Sequence, residues 1–328
     1  MSISKVTSTT PNFLINGVVP GLSGDIVMAG GNVFWVDAYN GSDSNDGSSA
    51  MNAFASIPYA YAKLTANQND VLFVIGGPTS YQLASSLVWA KNYTHMIGLD
   101  SGTRVASRAR MFASTANTAP ISFNITASGC FFKNIKFGAG SAQAASLICM
   151  QITGGRNHFD NCAISGMENA TAGTAATLTA GRSLKLSGST GENLFTNCVI
   201  GSDTIARTAT NYEIEIVSGC PRNVFENCDI ISYCTAGGES HAMLLIGSGG
   251  IDRWVEFNLC RFMNMSTNVG SGVVNAQTLS LSAIAGGFVL YDTCAVVGFT
   301  ATQTSSSGNL YIQNSVPTFA TSGLAKAS

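Results

Sequence analysis

A six-residue phrase, aromatic–x–Asn–Cys–x–aliphatic, recurs along the second half of this 328-residue chain and limits what it can fold into. It reads Phe159-Asp160-Asn161-Cys162-Ala163-Ile164, then Phe195-Thr196-Asn197-Cys198-Val199-Ile200, then Phe225-Glu226-Asn227-Cys228-Asp229-Ile230. Degenerate copies begin at Phe132, Phe257 and Tyr291. Counted from the aromatic residue, successive copies start 27, 36, 30, 32 and 34 residues apart. Self-similarity at a period of about 20–50 residues marks a solenoid or array.

A second element precedes each phrase. Phe123, Met150, Leu186 and Ile216 each stand nine residues before the aromatic position. Around them apolar and polar residues alternate, as in Ile121-Ser122-Phe123-Asn124-Ile125, which is the period of a strand with one buried face. Gly-rich turns such as Thr153-Gly154-Gly155 separate the strands. One repeat is therefore two or three short strands with tight bends. Such strands cannot bury a face alone and must stack on the next copy, which predicts a parallel β-helix. The Asn suits a left-handed bend, and stacked Asn side chains can bond from coil to coil. The Cys positions form a ladder and not a set of pairs, so reduced, buried thiols are expected. Variable length falls after the Cys strand, at Gly166 to Arg182, Gly201 to Thr210, Ser232 to His241 and Asn264 to Gln277, which marks that corner as the expected binding face.

Composition narrows the function classes. Charged residues make up 10% and the net charge is −2, with no basic cluster, so a nucleic-acid footprint is not expected. No apolar run is long enough for a membrane span. The start, Met1-Ser2-Ile3-Ser4-Lys5, lacks a signal-peptide pattern, so assembly in a host cytoplasm is expected.

The first 120 residues differ from the repeats. Residues 1–32 read as an extended arm, for attachment or subunit exchange. Residues 33–120 read as a cap and first coils, 121–315 as regular coils, and 316–328 as a small polar tail. Phe54, Ile57, Tyr61 and Leu64 at helical spacing predict a capping helix within Asn52 to Leu64. The stretch Val36-Asp37-Ala38-Tyr39-Asn40-Gly41-Ser42-Asp43-Ser44-Asn45-Asp46-Gly47, followed by Ala53-Phe54-Ala55-Ser56-Ile57, resembles the opening of pectate-lyase-like right-handed parallel β-helix proteins, especially bacteriophage tailspikes and related virion proteins. The resemblance spans roughly residues 33–315 and implies an all-β, single-stranded right-handed solenoid. That fold hosts lyases, hydrolases, adhesins and inert spikes, so it does not carry an activity with it.

Candidate chemistry is sparse. Glu213 and Glu215 alternate on one strand, are expected to point away from the core about 7 Å apart, and could serve a glycan-cleaving enzyme as its two carboxylates. Asp43, Asn45 and Asp46 form half of a calcium loop without its closing Glu, and turn chemistry explains them equally well. Cys220, Cys228, Cys234 and His241 lack zinc-ligand spacing. Trp89, Trp254, Tyr233 and Tyr311 are the aromatics that could line a sugar groove. No cofactor is expected. The leading expectation is a non-enzymatic virion protein (head decoration, head fibre or short spike), homotrimeric, contacting capsid or tail proteins through its arm. The alternatives are a tailspike depolymerase acting on host polysaccharide and an adhesin that binds a host surface glycan without cleaving it.

Overall fold

The computed structural model describes residues 31–100, 107, 109–234, 241–265, 276–281, 286–299, 301–303 and 309–314. The expected arm, apart from Gly31 and Asn32, lies outside these residues. So do the tail and the loop stretches 235–240 and 266–275.

Three parallel sheets of ten, eight and eight strands wind into a β-helix. One coil illustrates all of them. Ile148–Ile152 lies in an upstream sheet, His158–Asp160 in the ten-stranded sheet, and Ala163–Ser165 in a downstream sheet, with a loop leading to the next coil. The repeated phrase spans the bend between the last two strands.

Each phrase position has its own physical reason. Phe132, Phe159, Phe195, Phe225 and Phe257 are fully buried and stack with ring centroids 4.7, 5.0, 4.6 and 4.5 Å apart. That interval is close to the spacing of paired strands, about 4.8 Å, so the backbone ladder sets the ring stack. Burial of each ring is worth roughly 1.5–3 kcal/mol. Asn134, Asn161, Asn197 and Asn227 adopt φ of 55°, 50°, 56° and 50°, the left-handed region that Asn tolerates. In the next two coils Leu259 and Thr293 occupy the same conformation, with φ of 54° and 52°. The side chains of Cys162, Cys198, Cys228, Cys260 and Cys294 are free thiols, each donating to the carbonyl of a Phe one coil earlier at 3.1–3.4 Å. Burial pushes the Cys198 and Cys228 thiols well up, which keeps them in the neutral thiol form.

Two expectations are corrected, and the outer Asn ladder is met in part. The nine-residue offset is not the structural register, because Met150 pairs with Phe123 and Leu184, while Leu186 pairs with Ile152 and Ile216. The coils of Phe195 and Phe225 carry two more residues in the preceding bend than those of Phe132 and Phe159. A two-residue slip keeps every side chain on its face, so alternation cannot reveal it. The outer Asn ladder is also interrupted. Asn161 donates to Asn134 at 2.9 Å and Asn227 to Asn197 at 2.8 Å, but Asn197 donates to Asp160. The capping helix, finally, is shorter than the apolar spacing suggests.

That helix runs Ile57–Lys63, behind a 3-10 turn at Ala50–Asn52. Phe54 instead forms a parallel bridge to Val36, which holds the chain extended until Pro58 opens the helix. Ile57, Ala60 and Leu64 close the end of the core. Lys91 caps the helix C-terminus, its Nζ donating to the carbonyls of Tyr61, Ala62 and Leu64 at 2.9, 2.9 and 2.6 Å.

His95 ties the second coil to the third. The Phe131 backbone N–H donates to its Nδ1 at 3.1 Å, which requires a neutral ring. Burial pushes its pKa down to about 4, against the opposing pull of Asp70. The unfolded chain takes up this proton near pH 6.5 and the folded chain does not. Stability from this site is thus complete above that pH and is lost as pH falls toward 4, by on the order of 3 kcal/mol. Urea unfolding of wild type and His95→Gln between pH 7 and 4 should show a steeper acid loss in wild type. Equal slopes would contradict the assignment.

Candidate functional site

The loop Gly166 to Arg182 leaves the corner where the downstream sheet meets the upstream sheet of the next coil. It is not a loose excursion: Met167, Ala175 and Ala176 are buried in a small core of its own, with Leu147 and Ile205 against them. Beneath it lies the strand Tyr212–Val217, whose Ile214 and Ile216 point inward. Glu213 and Glu215 therefore share the outer face, as the alternation predicts, but the two have different surroundings.

Glu213 is 1% exposed, which corrects the expectation of a solvent-facing acid. Ser183 donates to its Oε2 at 2.6 Å, and the Arg207 guanidinium lies 3.5 Å from Oε1. Arg207 is itself sealed, donating to Asn211 Oδ1 at 2.6 Å, to Ser232 Oγ at 2.7 Å and to the Asn211 carbonyl. Asn211 in turn donates to the Ala175 and Ala176 carbonyls, joining the loop to the buried pair. Gly201, at φ +107°, makes room, since a Cβ there would stand 2.9 Å from the Glu213 carboxyl carbon and 1.9 Å from the Ile231 oxygen. Burial pushes the Glu213 carboxyl up, against the pull of Arg207.

Glu215 is closer to solvent and is already neutralised. Its Oε2 lies 3.3 Å from Arg182 Nε and 3.1 Å from Lys185 Nζ. Arg182 stacks 4.7 Å over the Tyr212 ring and donates to the carbonyls of Thr179 and Gly181. The two acids thus brace the loop.

The other sequence candidates resolve in the same direction. Asp43 accepts from the Ala55 and Ser56 backbone N–H groups, both at 2.9 Å, and from Ser56 Oγ at 2.7 Å. Asn45 donates to the Ala53 carbonyl, and Asp46 accepts from Ser48. These three side chains shape the turn and tie it to the start of the capping helix. Cys228 belongs to the core ladder, and Cys220 and Cys234 are separately buried. Trp89 is fully buried, whereas Tyr311 is 56% exposed with Phe288 edge-on to it at 5.4 Å.

One structural set escaped sequence reasoning. Asn157, Asn193 and Asn223 stand two residues before their Phe and form a buried inner ladder. Cys130 N–H donates to Asn157 Oδ1 at 2.9 Å, Asn157 N–H to Asn193 Oδ1 at 3.1 Å, and Asn193 N–H to Asn223 Oδ1 at 3.1 Å. The signal was present as Asn-x-Phe-x-Asn-Cys in three copies.

No protein-family profile and no curated protein matches the chain. Solved structures do. The Escherichia coli protein YbhC aligns with a TM-score of 0.55 at 13% identity, over 94% of this chain and 89% of its own. A pectin methylesterase in complex with a hexasaccharide aligns at 0.52 and 15%, over 85% and 80%. The Erwinia chrysanthemi pectin methylesterase PemA aligns at 0.50 and 16%, over 85% and 80%. At these identities the likeness establishes the fold alone, a right-handed parallel β-helix.

The buried pair generates a test. Arg207→Met leaves Glu213 uncompensated and should cost about 3–5 kcal/mol in urea unfolding. The double variant Arg207→Met/Glu213→Gln should recover much of that loss. A double variant no more stable than the single one would show that the charges are not the coupled element.

Proposed function

We propose that this chain is a non-enzymatic structural protein of a bacteriophage virion: a head decoration, head fibre or short spike with a β-helical body. The observation that carries the non-enzymatic part is the engagement of four carboxylates, those of Glu213, Glu215, Asp160 and Asp229. Glu213 is sealed beneath a loop, and Glu215 is held by Arg182 and Lys185. Asp160 takes Lys133 at 2.7 Å together with Thr196 and Asn197. Asp229 is held by both nitrogens of an Arg261 fork. Nothing in this set is a facing acid and base on a groove. The virion setting is supported by the likeness of residues 36–57 to tailspike openings and by the low charge. The reading carries with it a homotrimer, as in β-helical spikes, and attachment to capsid or tail proteins through residues 1–32.

A second reading, a depolymerase of host polysaccharide, is favoured by the fold shared with pectin methylesterases. Carbohydrate-active enzymes use this fold, and the chain spans most of their length. Two measurements separate the readings. Purified protein spotted on host lawns should leave no clearing, and its mass in solution should be three times the 34.0 kDa of one chain. Clearing that is lost in Glu215→Gln would replace the first reading with the second. A clean monomer at micromolar concentration would overturn the trimer.

A further inference from the structure

The outer face of the ten-stranded sheet changes character along its length. From the strand His158–Asp160 onward one outer row reads Asp160, Thr196, Glu226, which is polar. The first four strands are Val33–Asp37, Asp70–Ile75, Thr94–Leu99 and Phe131–Lys133. Their outward residues Val33, Trp35, Val71, Phe73, Ile97 and Phe131 form an apolar cluster separate from the main core. Among the described residues every member of that cluster comes from the sheet itself.

Two observations set this face apart from a wet one. Val71 is 0% exposed and Ile97 1%, although a sheet face packed only by its own side chains leaves their outer surfaces to water. The Trp35 indole N–H is buried and has no hydrogen-bond partner, whereas a buried indole N–H ordinarily finds one. Both demands are met by one kind of cover, a segment that brings apolar side chains and a carbonyl acceptor together.

We propose that residues 12–30 of the same chain are that cover, an extended strap laid across the first four strands. The chain enters the sheet at the right place. Asn32 N–H donates to Asp70 Oδ1 at 2.7 Å, and Val71 N–H donates to the Asn32 carbonyl at 2.8 Å. Gly31 passes so close to the next coil that a Cβ on it would stand 2.1 Å from the Asn69 oxygen. Residue 30 is thus tethered beside Val33 and Val71. At about 3.3 Å per extended residue and about 4.8 Å between strands, five residues cross the four strands. A tether that short favours the chain's own face over that of another copy.

Composition selects the segment. Phe13-Leu14-Ile15, Val18-Val19, Leu22 and Ile26-Val27-Met28 fall within residues 12–30, against a single charge at Asp25. Ser and Thr fill six of the eleven residues before them, which suits that stretch to water and not to an apolar face. An extended backbone presents a carbonyl at every residue, one of which accepts from Trp35. The inference holds whether or not the protein belongs to a virion; within that reading it narrows the attachment arm to residues 1–11.

The test uses the full-length protein with p-benzoylphenylalanine replacing Phe73, irradiated, digested and mapped by mass spectrometry. Cross-links should join position 73 to residues 12–30, in a product that runs as a monomer on a denaturing gel. Hydrogen exchange of the unmodified protein gives an independent reading. Amides of 12–30 should exchange at least about tenfold more slowly than in a synthetic peptide of that sequence. Ile26→Asp/Met28→Asp should abolish this protection and leave the strand Ala163–Ser165 protected as before. Cross-linked products at twice the chain mass would assign the face to a second copy and overturn the proposal. Exchange across 12–30 as fast as in the peptide, or protection that survives the double variant, would overturn it as well.

Discussion

Each coil of this solenoid must leave the upstream sheet and enter the ten-stranded one with backbone N–H groups that no strand ladder receives. A buried N–H without a partner costs about 1–3 kcal/mol. The inner asparagines meet that cost across coils: Asn157 serves Cys130, Asn193 serves Asn157, and Asn223 serves Asn193. The amide of Asn193 also donates to Asn223, so the ladder is a connected network. With that bend held, the Phe side chains fall into one stack and the Cys side chains into one column behind it. The outer bend then needs only a residue that tolerates the left-handed region.

That hierarchy explains what the sequence disclosed. Phe, Cys and the outer Asn could be read because each answers a local demand: ring size, small apolar volume, and φ. The inner Asn answers a demand set by the next coil, and Cys130 and Val255 fill its slot at either end, which obscured the pattern. Register was hidden for a different reason. The extra residues of the Phe195 and Phe225 coils enter in a pair, and a pair leaves the inside–outside alternation intact. Alternation correctly placed Glu213 outside the barrel but could not show the loop, with its own Met167 and Ala176 core, that covers it. The helix was read from spacing, and its start was displaced by the Phe54–Val36 bridge, a long-range contact.

The site followed the same division. Residue types that catalyse glycan cleavage were findable, yet whether a carboxylate is sealed, paired or facing a groove depends on chain segments far apart in sequence. Ser183 of the preceding coil donates to Glu213, and Arg207 beside it is anchored on Ser232 of the next coil. The outer row of the ten-stranded sheet was invisible because it draws one residue from each coil, and the copies differ in type: Lys133, Asp160, Thr196, Glu226.

The claim that the inner ladder holds the coils together has a direct test in denaturant unfolding of Asn193→Ala beside Asn227→Gly. Asn193→Ala strips a partner from the buried Asn157 N–H and should cost about 2–4 kcal/mol. Asn227→Gly keeps the left-handed bend and loses one exposed amide contact, so its cost should stay within about 1 kcal/mol. Equal losses in the two variants, or an Asn193→Ala protein as stable as wild type, would contradict the account.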